Sequence, residues 1–370
     1  MVMSADRWRI SVRWKPDEVA RLIGPDAGLR RTPFQDAGWL AAWRHSLGAE
    51  PGVELVVAEI ADGTTGAPAF VLPLIRETRR GIVRLSAWDR GVADYNGPLV
   101  APDFPPEMLR QLWPRLVAAL PAADVLMFEK SPGRIGGAVN PLTLLDGLIP
   151  SIFSGHPLRL SPDYERMAAE RFDGSTRRSL AKKRRKLQAK GRLEFRIEEG
   201  PAVLDGLVRV LEWRSRRFPT AAETAADGRA WAFYRRLAAE TGVVRVATLT
   251  LDGVPISGCF GTLVGTSFQL IAVGHEARWD NWSAGLLAIE SSVAWACGAG
   301  IETYDFTVGE EPYKRTFGVE SMPLWELRVP LGIKGRLVLL ALSLRTRLKR
   351  LRDEWRARRQ RRRASETAAP

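Results

Sequence analysis

The chain has 370 residues, of which 45% are hydrophobic and 26% charged, so it is long enough for two globular domains with cores of their own. Two cysteines and three histidines argue against a disulfide framework and a structural metal site, and we expect no metal. No run of 18 apolar residues predicts a membrane span, and the first residues lack the apolar core of a signal peptide, so the expected compartment is the cytoplasm.

The formal net charge of +13 is concentrated in two segments. Residues 174–193 hold nine Lys/Arg and no acid, and residues 345–363 hold eleven Lys/Arg against Asp353 and Glu354. Because these segments together carry more positive charge than the whole chain, the remainder is mildly acidic. This distribution argues against a fold that binds nucleic acid over its whole surface.

The first half predicts a strand–turn–strand–strand run followed by a helix and a strand. The strands are "VELVVAEI" (53–60), "AFVLPLIRE" (69–77) and "IVRLSAW" (82–88), with the turn signal Asp62-Gly63 after the first. An apolar stripe predicts a helix over 106–120, and "DVLMFEK" (124–130) is the next strand.

The second half repeats this order after two predicted helices, around 202–218 and 229–241. The repeated elements are "VVRVATLTL", the turn Asp252-Gly253, "VPISGCFGTLVG", "SFQLIAVG" (267–274), a helix over 283–298 capped by Ser283, "IETYDF", and the closing strand "MPLWELRVPL" (322–331). Alternating strands and helices in two matching halves predict an α/β architecture built from a duplicated unit.

Several segments resemble a known family: "RRSLAKKRRKLQAKG", "LEWRSRRF", "WSAGLL", "DFTVGEEPYKRTFG" and "DYNGPLV" (94–100). They are similar to the CelD-like acetyltransferases associated with cellulose and exopolysaccharide biosynthesis, which have a BioF-like acetyltransferase domain. That family is related to the tandem-GNAT group that includes the FemAB aminoacyltransferases.

The resemblance implies a tandem GNAT-like α/β fold with mixed sheets. Its parts would be a domain over 1–160, an acyltransferase domain over 161–332, and a basic amphipathic helix and tail over 333–370. It also implies no permanently bound cofactor, acetyl-CoA or another acyl-CoA as co-substrate, and a small amine or saccharide as acceptor.

The stretch "DNWSAGLL" (280–287) is the expected donor site. In GNAT enzymes the acyl-CoA pyrophosphate lies on backbone amides at this helix N-terminus, where unpaired N–H groups and the helix dipole favour an anion. The resemblance assigns this role to Ser283, Ala284, Gly285 and Leu286. A plain Ser-capped helix is the alternative, because the usual Arg/Gln-x-x-Gly-x-Gly/Ala pattern is absent.

The stretch "TVGEEPYKRTFG" (307–318) follows the strand that would splay away from its neighbour to admit the acyl group. Asp305 is the candidate to orient or deprotonate an amine, Tyr313 to donate a proton to the leaving thiolate, and Lys314 to stabilise the oxyanion. The alternative is an ordinary capped turn in which Lys314 pairs with Glu310 or Glu311.

Four further residues are candidates for acceptor binding. Trp213 and Arg217 end a helix on aromatic and basic side chains, although a cationic helix end also pairs with its own dipole. Asp94 and Tyr95 are predicted either to face the cleft between the halves or to form a turn before Gly97-Pro98.

The sequence leaves open which partners the two basic segments bind. Residues 174–193 form a mostly exposed helix that contacts CoA phosphates, tRNA, or an anionic polysaccharide or lipid, or is simply solvated. Residues 336–352 form an amphipathic helix that either lies on an anionic membrane, making the protein peripheral at its inner face, or packs on the body before a disordered basic tail.

The predicted function is therefore transfer of an acetyl or acyl group from acyl-CoA to an amine or sugar, in exopolysaccharide or cell-envelope biosynthesis. The alternatives are aminoacyl-tRNA-dependent transfer, for which tRNA is the partner, and a non-catalytic scaffold at a membrane surface.

Overall fold

The computed structural model of the protein describes residues 5–24, 28–217, 225–345 and 352. Its first half contains the predicted strands and helix with short elements between them. In chain order these are β1 (Trp8–Arg13), α1 (Pro16–Ile23), α2 (Ala37–His45), β2 (Val53–Asp62), β3 (Pro68–Arg79), β4 (Ile82–Ala87), β5 (Leu99–Val100), α3 (Met108–Ala119), β6 (Val125–Pro132), β7 (Arg134–Ile135), β8 (Ala138–Val139), β9 (Leu148–Gly155) and β10 (Pro157–Arg159).

The second half contains the predicted elements in order, with a helix over Tyr164–Arg171 and a strand over Leu193–Glu198 that were not predicted from the sequence. Its elements are α4 (Tyr164–Arg171), α5 (Gly174–Gln188), β11 (Leu193–Glu198), α6 (Val203–Arg217), α7 (Ala225–Glu240), β12 (Val244–Leu251), β13 (Val254–Val264), β14 (Ser267–His275), α8 (Ala284–Gly298), β15 (Thr303–Asp305), α9 (Pro312–Thr316), β16 (Met322–Pro330) and a helix α10 over residues 333–345.

The central hairpin of each half turns at its Asp-Gly pair, as predicted. Asp252 and Gly253 both have positive φ, 50° and 80°, which is the conformation of a tight turn between right-twisted antiparallel strands. In the first half the carboxylate of Asp62 accepts the N–H groups of Thr64 and Thr65 at 2.8 and 3.0 Å.

Two mixed sheets repeat one topology. The first has the strand order β1-β2-β3-β4-β6-β16-β9, with β5 added to β3, and the second has the order β10-β15-β14-β13-β12-β11. In each, three antiparallel strands are followed by a helix and then by a strand that pairs in parallel: β4 with β6, and β14 with β15. The prediction of a duplicated α/β unit with mixed sheets is confirmed.

The two halves exchange strands, which corrects one expectation. The segment predicted to close the second half, β16, lies instead in the first sheet between β6 and β9. In return, β10 from the first half pairs with β15 in the second sheet. Local pattern cannot reveal this, because an apolar strand satisfies its backbone hydrogen bonds equally well in either sheet. The boundary between 160 and 161 thus stays a prediction about chain segments.

A continuous apolar core joins the halves. The buried face of α6 and α7 belongs to the same cluster as the tryptophans of α2, and Trp39 meets Phe233 edge-to-face with ring centroids 4.9 Å apart. Each such fully buried side chain contributes roughly 1.5–3 kcal/mol relative to an exposed one. The cleft between the halves is therefore bounded by packed elements.

Candidate active site

A cavity of 270 Å³ opens between the two halves. Its walls are β14 and the segment after β15, the helices α6 and α7, and the loop around residue 91 of the first half. The lining residues are Gly91, Asp94, Leu211, Arg214, Ser215, Ala230, Trp231, Tyr234, Phe260, Leu270, Ile271, Ala272, Val273, Phe306, Thr307, Val308, Glu311, Tyr313 and Lys314.

The cavity exists because two parallel strands separate. β14 and β15 pair only over Ser267–Gln269 and Thr303–Asp305. Beyond that point residues Leu270–Val273 and Phe306–Val308 line the cavity and do not pair with each other. One side-chain bond spans the opening, from the Thr307 hydroxyl to the Leu270 carbonyl at 2.9 Å. Exposed backbone at strand ends can bind an extended ligand by strand-like hydrogen bonds.

Asp305 lies behind the wall of the cavity and does not line it. Its side chain is buried, and one carboxylate oxygen accepts the Tyr95 hydroxyl at 2.9 Å and the Thr307 N–H at 2.8 Å. Burial raises the pKa of Asp305 to about 6, although both hydrogen bonds favour the ionised form. Because Tyr95 comes from the first half, this contact joins the halves beneath the site.

Lys314 holds the segment that follows β15. Its side chain is only 3% exposed, and its ammonium donates to the carbonyls of Thr307 and Gly309, at 3.1 and 2.9 Å, and to the Glu311 carboxylate at 3.0 Å. Thr307 has φ of +60°, a left-handed conformation that costs a non-glycine residue of order 1 kcal/mol or more. Lys314 thus lines the cavity and also makes the ion pair with Glu311 that the alternative interpretation of this segment predicts.

His156 is a residue that sequence reasoning missed. Its ring is buried, and Nδ1 donates to the Thr307 carbonyl at 3.0 Å, beside the Lys314 ammonium. The sequence places His156 in the first half, 151 positions from Thr307, and only the exchange of β10 into the second sheet brings it here. The sequence signal that could have pointed to His156 is its position directly before the short strand Pro157–Arg159.

Two acid–base candidates do line the cavity. Asp94 is half-buried, and burial raises its pKa, while the positive charge of Lys130 opposes the rise. The Tyr313 ring packs near Phe306, with centroids 6.2 Å apart, and burial raises the pKa of its phenol. The structure therefore brings Asp94, Tyr313 and Lys314 to one cavity, with Tyr95 and Asp305 directly behind it.

The predicted donor turn lies at the N-terminus of α8. Ser283 has φ of +56°, and its side chain makes no capping hydrogen bond, which corrects the expectation that it caps the helix. Ala284 and Gly285 are buried and Leu286 is half-buried. A Cβ at Gly285 would lie 3.1 Å from Nδ1 of His275, so little room remains at this position. A left-handed residue before a helix is typical of anion-binding backbone nests.

The basic helix α5 lies beside this turn. Only Leu180 and Leu187 of α5 are buried, as expected for a helix with most of its surface exposed, and Arg184 pairs with Glu290 of α8 at 2.6 Å. A second cavity of 270 Å³ lies between α5 and the donor turn, lined by Ser179, Lys182, Lys183, Lys186, Asn281 and Trp282. The lysines therefore add positive charge at the turn.

The helix residues predicted for acceptor binding are placed differently. Trp213 is buried against β14, where its Cβ lies 2.9 Å from the position of a Cβ on Gly274, so only glycine fits there. Its neighbours Arg214 and Ser215 line the cavity instead, because successive helix residues point about 100° apart. Arg217 ends α6, and its side chain lies outside the described residues.

Comparisons with known proteins bear on the fold. Residues 174–315 match the family of acetyltransferase (GNAT) domains. No curated protein matches the chain. Among solved structures, FemX is similar over 90% of this chain and 99% of its own, with 12% identity and a TM-score of 0.57. A conserved protein of unknown function from Bacteroides thetaiotaomicron VPI-5482 is similar over 88% and 100%, with 11% identity and a TM-score of 0.54.

The prediction of a mixed α/β fold is thus confirmed, and the match supports the predicted GNAT domain over residues 174–315. The finer resemblance to CelD-like enzymes stays a prediction. None of the helices within the described residues combines the length and apolar character needed to cross a bilayer.

Proposed function

We propose that the protein transfers an acetyl or longer acyl group from acyl-CoA to an amine or sugar acceptor in the cavity between its halves. The observation that carries the proposal is the convergence of separated parallel strands with Asp94, Tyr313 and Lys314. The resemblance of "DYNGPLV" and "DFTVGEEPYKRTFG" to CelD-like sequences supports an acceptor in exopolysaccharide or cell-envelope biosynthesis.

The reaction needs one proton removed and one supplied. The acceptor nitrogen or oxygen attacks the thioester carbonyl, the new C–N or C–O bond forms, and the C–S bond breaks. Asp94 accepts the proton from the acceptor, because its raised pKa brings its basicity closer to neutral pH. Tyr313 gives its proton to the leaving thiolate and recovers one from solvent.

Lys314 supports the carbonyl oxygen as negative charge develops. Its ammonium already donates to two carbonyls and to Glu311, whose side chain is 50% exposed. Displacement of that partly exposed carboxylate frees one N–H for the oxyanion, in a site where burial strengthens the interaction. Asp305 acts as a positioning residue in this scheme, since it holds Tyr95 and the Thr307 turn.

The donor's phosphates fit the turn at 283–286. The turn offers backbone N–H groups at the start of α8, and Lys182, Lys183 and Lys186 line the adjoining cavity. When bound, acyl-CoA supplies the activated acyl group as a thioester. This chain's residues hold its anionic end and aim the acyl group along the opening between β14 and β15.

Calorimetric titration with acetyl-CoA and with longer acyl-CoAs tests the donor site. We expect micromolar binding in moderate salt, weakened at least tenfold by Gly285→Val, whose side chain would crowd His275. Gly298→Ala, at the other end of the same helix, is the matched control because a Cβ there meets nothing within 4 Å. If the wild-type protein bound no acyl-CoA, the proposal would fail.

The exposed basic face of α5 favours one alternative donor, aminoacyl-tRNA. Such a donor predicts RNA that copurifies with the protein and a binding constant that falls steeply with salt. Charge reversal at Lys182 and Lys186 would abolish that RNA binding. Protein free of nucleic acid at moderate salt would exclude this alternative.

We propose further that α10 attaches the protein to the inner, anionic face of a membrane. Ile333, Leu337, Leu340 and Leu344 lie on one side of the helix and are 79%, 61%, 56% and 49% exposed. The sequence that follows, residues 345–363, has a formal charge of +9, which complements anionic lipid. The remainder of the range 336–352 lies outside the described residues apart from residue 352.

Vesicle sedimentation tests this attachment, and also the scaffold alternative. Vesicles containing phosphatidylserine should retain the whole protein and release Leu337→Glu/Leu340→Glu. A membrane-bound protein without acyl-CoA binding would favour a scaffold over an enzyme.

A further inference from the structure

The first half contains another cavity, beside strands that correspond in the duplicated topology to those of the active-site cavity. In the first sheet β4 and β6 pair in parallel over Arg84–Ser86 and Val125–Met127, just as β14 and β15 pair over Ser267–Gln269 and Thr303–Asp305. In this register Ser86 corresponds to Gln269, and Met127 corresponds to Asp305. Beyond those pairs, the strands of each half separate.

A cavity of 330 Å³ lies on one face of the first sheet, over β3, β4 and β6. Alternate residues of these strands line it: Ile75, Glu77 and Arg79 of β3, Arg84 and Ser86 of β4, and Met127 and Glu129 of β6. The active-site cavity differs, because consecutive residues of β14 and of the segment after β15 line it where the two strands separate. The first half therefore has a cavity of its own, beside strands that correspond to β13, β14 and β15.

The two cavities adjoin each other. Gly91 lines both of them, and so do consecutive residues of α7: Arg229 lines the first-half cavity and Ala230 the active-site cavity. Gly91 has φ of +91° and no side chain to close the passage. A ligand held in the first-half cavity can therefore extend toward Asp94.

The first-half cavity contains buried polar atoms without partners. Asn96 is 1% exposed; its amide nitrogen donates to Asp89 and to the Glu129 carbonyl, but its Oδ1 has no hydrogen-bond partner among the described residues. The same holds for Nε of Arg84, whose other nitrogen pairs with Glu129 at 3.1 Å. Leaving a buried polar group unpaired costs roughly 1–3 kcal/mol, so a ligand that supplies a donor and an acceptor is favoured.

In the first half, the turn that corresponds to the donor turn of the second half is unsuited to binding a phosphate group. The helix that follows β4 is α3, and it is preceded by Pro105, Pro106 and Glu107. Neither proline has an N–H, and the Glu107 carboxylate repels an anion at the helix N-terminus. The equivalent turn of the second half, at Ser283–Gly285, has neither feature. A second acyl-CoA is thus excluded as the natural occupant.

Charge in the cavity is mixed and largely paired. Glu77, Asp89 and Glu129 face Arg79, Arg84, Arg90 and Arg229, and the pairs include Arg79 with Glu77 at 2.9 Å and Asp89 with Lys130 at 2.6 Å. Such a lining offers many hydrogen-bond donors and acceptors. Because its opposite charges largely cancel, it produces little net electrostatic field. Hydroxyl groups, each of which donates and accepts, match this chemistry better than a strongly charged group.

We propose that the first-half cavity binds the hydroxyl-rich part of the acceptor, a sugar ring, and directs its reacting amine or hydroxyl through the passage at Gly91 to Asp94. The assignment rests on the proposed acyl transfer for its role in turnover. The sugar site itself requires only the first-half cavity.

Calorimetric titration without acyl-CoA tests the sugar site directly, with glucosamine, glucose and the hydroxyl-free amine glycine as probes. We expect glucosamine and glucose to bind and glycine not to bind. Arg84→Met, which removes the guanidinium and keeps the stem, should weaken glucosamine binding at least tenfold. Arg76→Met is the matched control, because Arg76 pairs with Glu54 and is not among the residues that line the cavity.

Ser86→Leu provides a second variant that fills the cavity without removing a charge, and a thermal melt of each variant checks folding. Absence of sugar binding by the wild-type protein, or equal binding by wild type, Arg84→Met and Ser86→Leu, would overturn the proposal. Acetyl-CoA titration of the same samples separates the two proposals. If the protein bound glucosamine but no acetyl-CoA, the proposed sugar site would stand and only the proposed acyl-CoA site would be rejected.

Discussion

The two halves share a topology and differ in the polar groups that the topology presents. Each has antiparallel strands, a helix and a parallel strand, but the second-half cavity lies where β14 and β15 separate, and the first-half cavity lies on the face of β3, β4 and β6. In the second half the helix begins at a left-handed Ser283 beside the lysines of α5, whereas in the first it begins at two prolines and a glutamate. A duplicated scaffold can thus carry one site suited to an anionic donor and another suited to a neutral polar group.

The halves also depend on each other for their sheets. β16 lies between β6 and β9, and β10 covers the edge of β15. Because an unpaired edge strand exposes its backbone groups, neither half is complete alone. The comparison between the halves therefore has to be tested within the intact protein.

The largest expected effect is loss of folding when the halves are separated. A fragment of residues 161–332 lacks β10 and leaves β16 without a sheet, so we expect no cooperative thermal transition by circular dichroism. Residues 1–332, which keep both exchanged strands, should unfold cooperatively. A cooperative transition of the isolated second half, with native helix content, would show that the exchange is dispensable.

Lys314→Met should lower kcat for acyl transfer by about 10²- to 10³-fold, as expected for loss of an oxyanion donor. The same change leaves the Thr307 and Gly309 carbonyls without their donor, which costs roughly 1–3 kcal/mol of stability for each carbonyl that water does not reach. Kinetics and urea unfolding measure the two effects separately. Lys130→Met removes the ion-pair partner of Asp89, a residue that lines the first-half cavity, and we expect it to change acceptor KM more than kcat. Equal losses of kcat would remove the functional distinction between the halves.

Asp305 should make stability depend on pH. Its pKa is raised from 3.8 to about 6 in the folded state, so the folded protein binds more protons than the unfolded chain between those values. Ionisation of Asp305 therefore lowers the free energy of unfolding as pH rises from about 4 to 6, by on the order of 2–3 kcal/mol, with no further loss above about 6.

Asp305→Asn keeps an acceptor for Tyr95 and Thr307 and removes this titration. Urea unfolding at pH 4.5 and 7.5 should show that the variant gains stability relative to wild type at the higher pH. A difference between the two proteins that is the same at both pH values would contradict the assignment.

The smallest expected effect belongs to the hydrogen bond between the halves. Tyr95→Phe removes the hydroxyl that donates to Asp305 but keeps the ring packed edge-to-face on Phe34, so we expect a loss of about 1.5–3 kcal/mol at neutral pH. In the double variant Tyr95→Phe/Asp305→Asn the effects of the two substitutions on the free energy of unfolding should not add, because the partners share one bond. If the changes in the free energy of unfolding, measured in urea, were strictly additive, Tyr95 and Asp305 would not be energetically coupled.

The sequence by itself determined the elements and their repeated order. Alternating apolar residues, the Asp-Gly turns and the stripes of α3, α6 and α8 are local signals, and local backbone and side-chain preferences are enough to form them. It also predicted a site at the segment 305–314, since charged residues following a buried strand indicate the rim of a site.

Tertiary structure alone decided which sheet each exchanged strand joins, because strand pairing is satisfied by non-local partners. That choice brings His156 to the Thr307 carbonyl and Tyr95 to Asp305. It also decided that Asp94 lines the cavity while Asp305 lies behind it, and that Arg214 rather than Trp213 does so on α6. These placements depend on the direction in which each side chain points. Neighbouring residues of a helix or strand point in different directions, so a shift of one residue moves a side chain to another face.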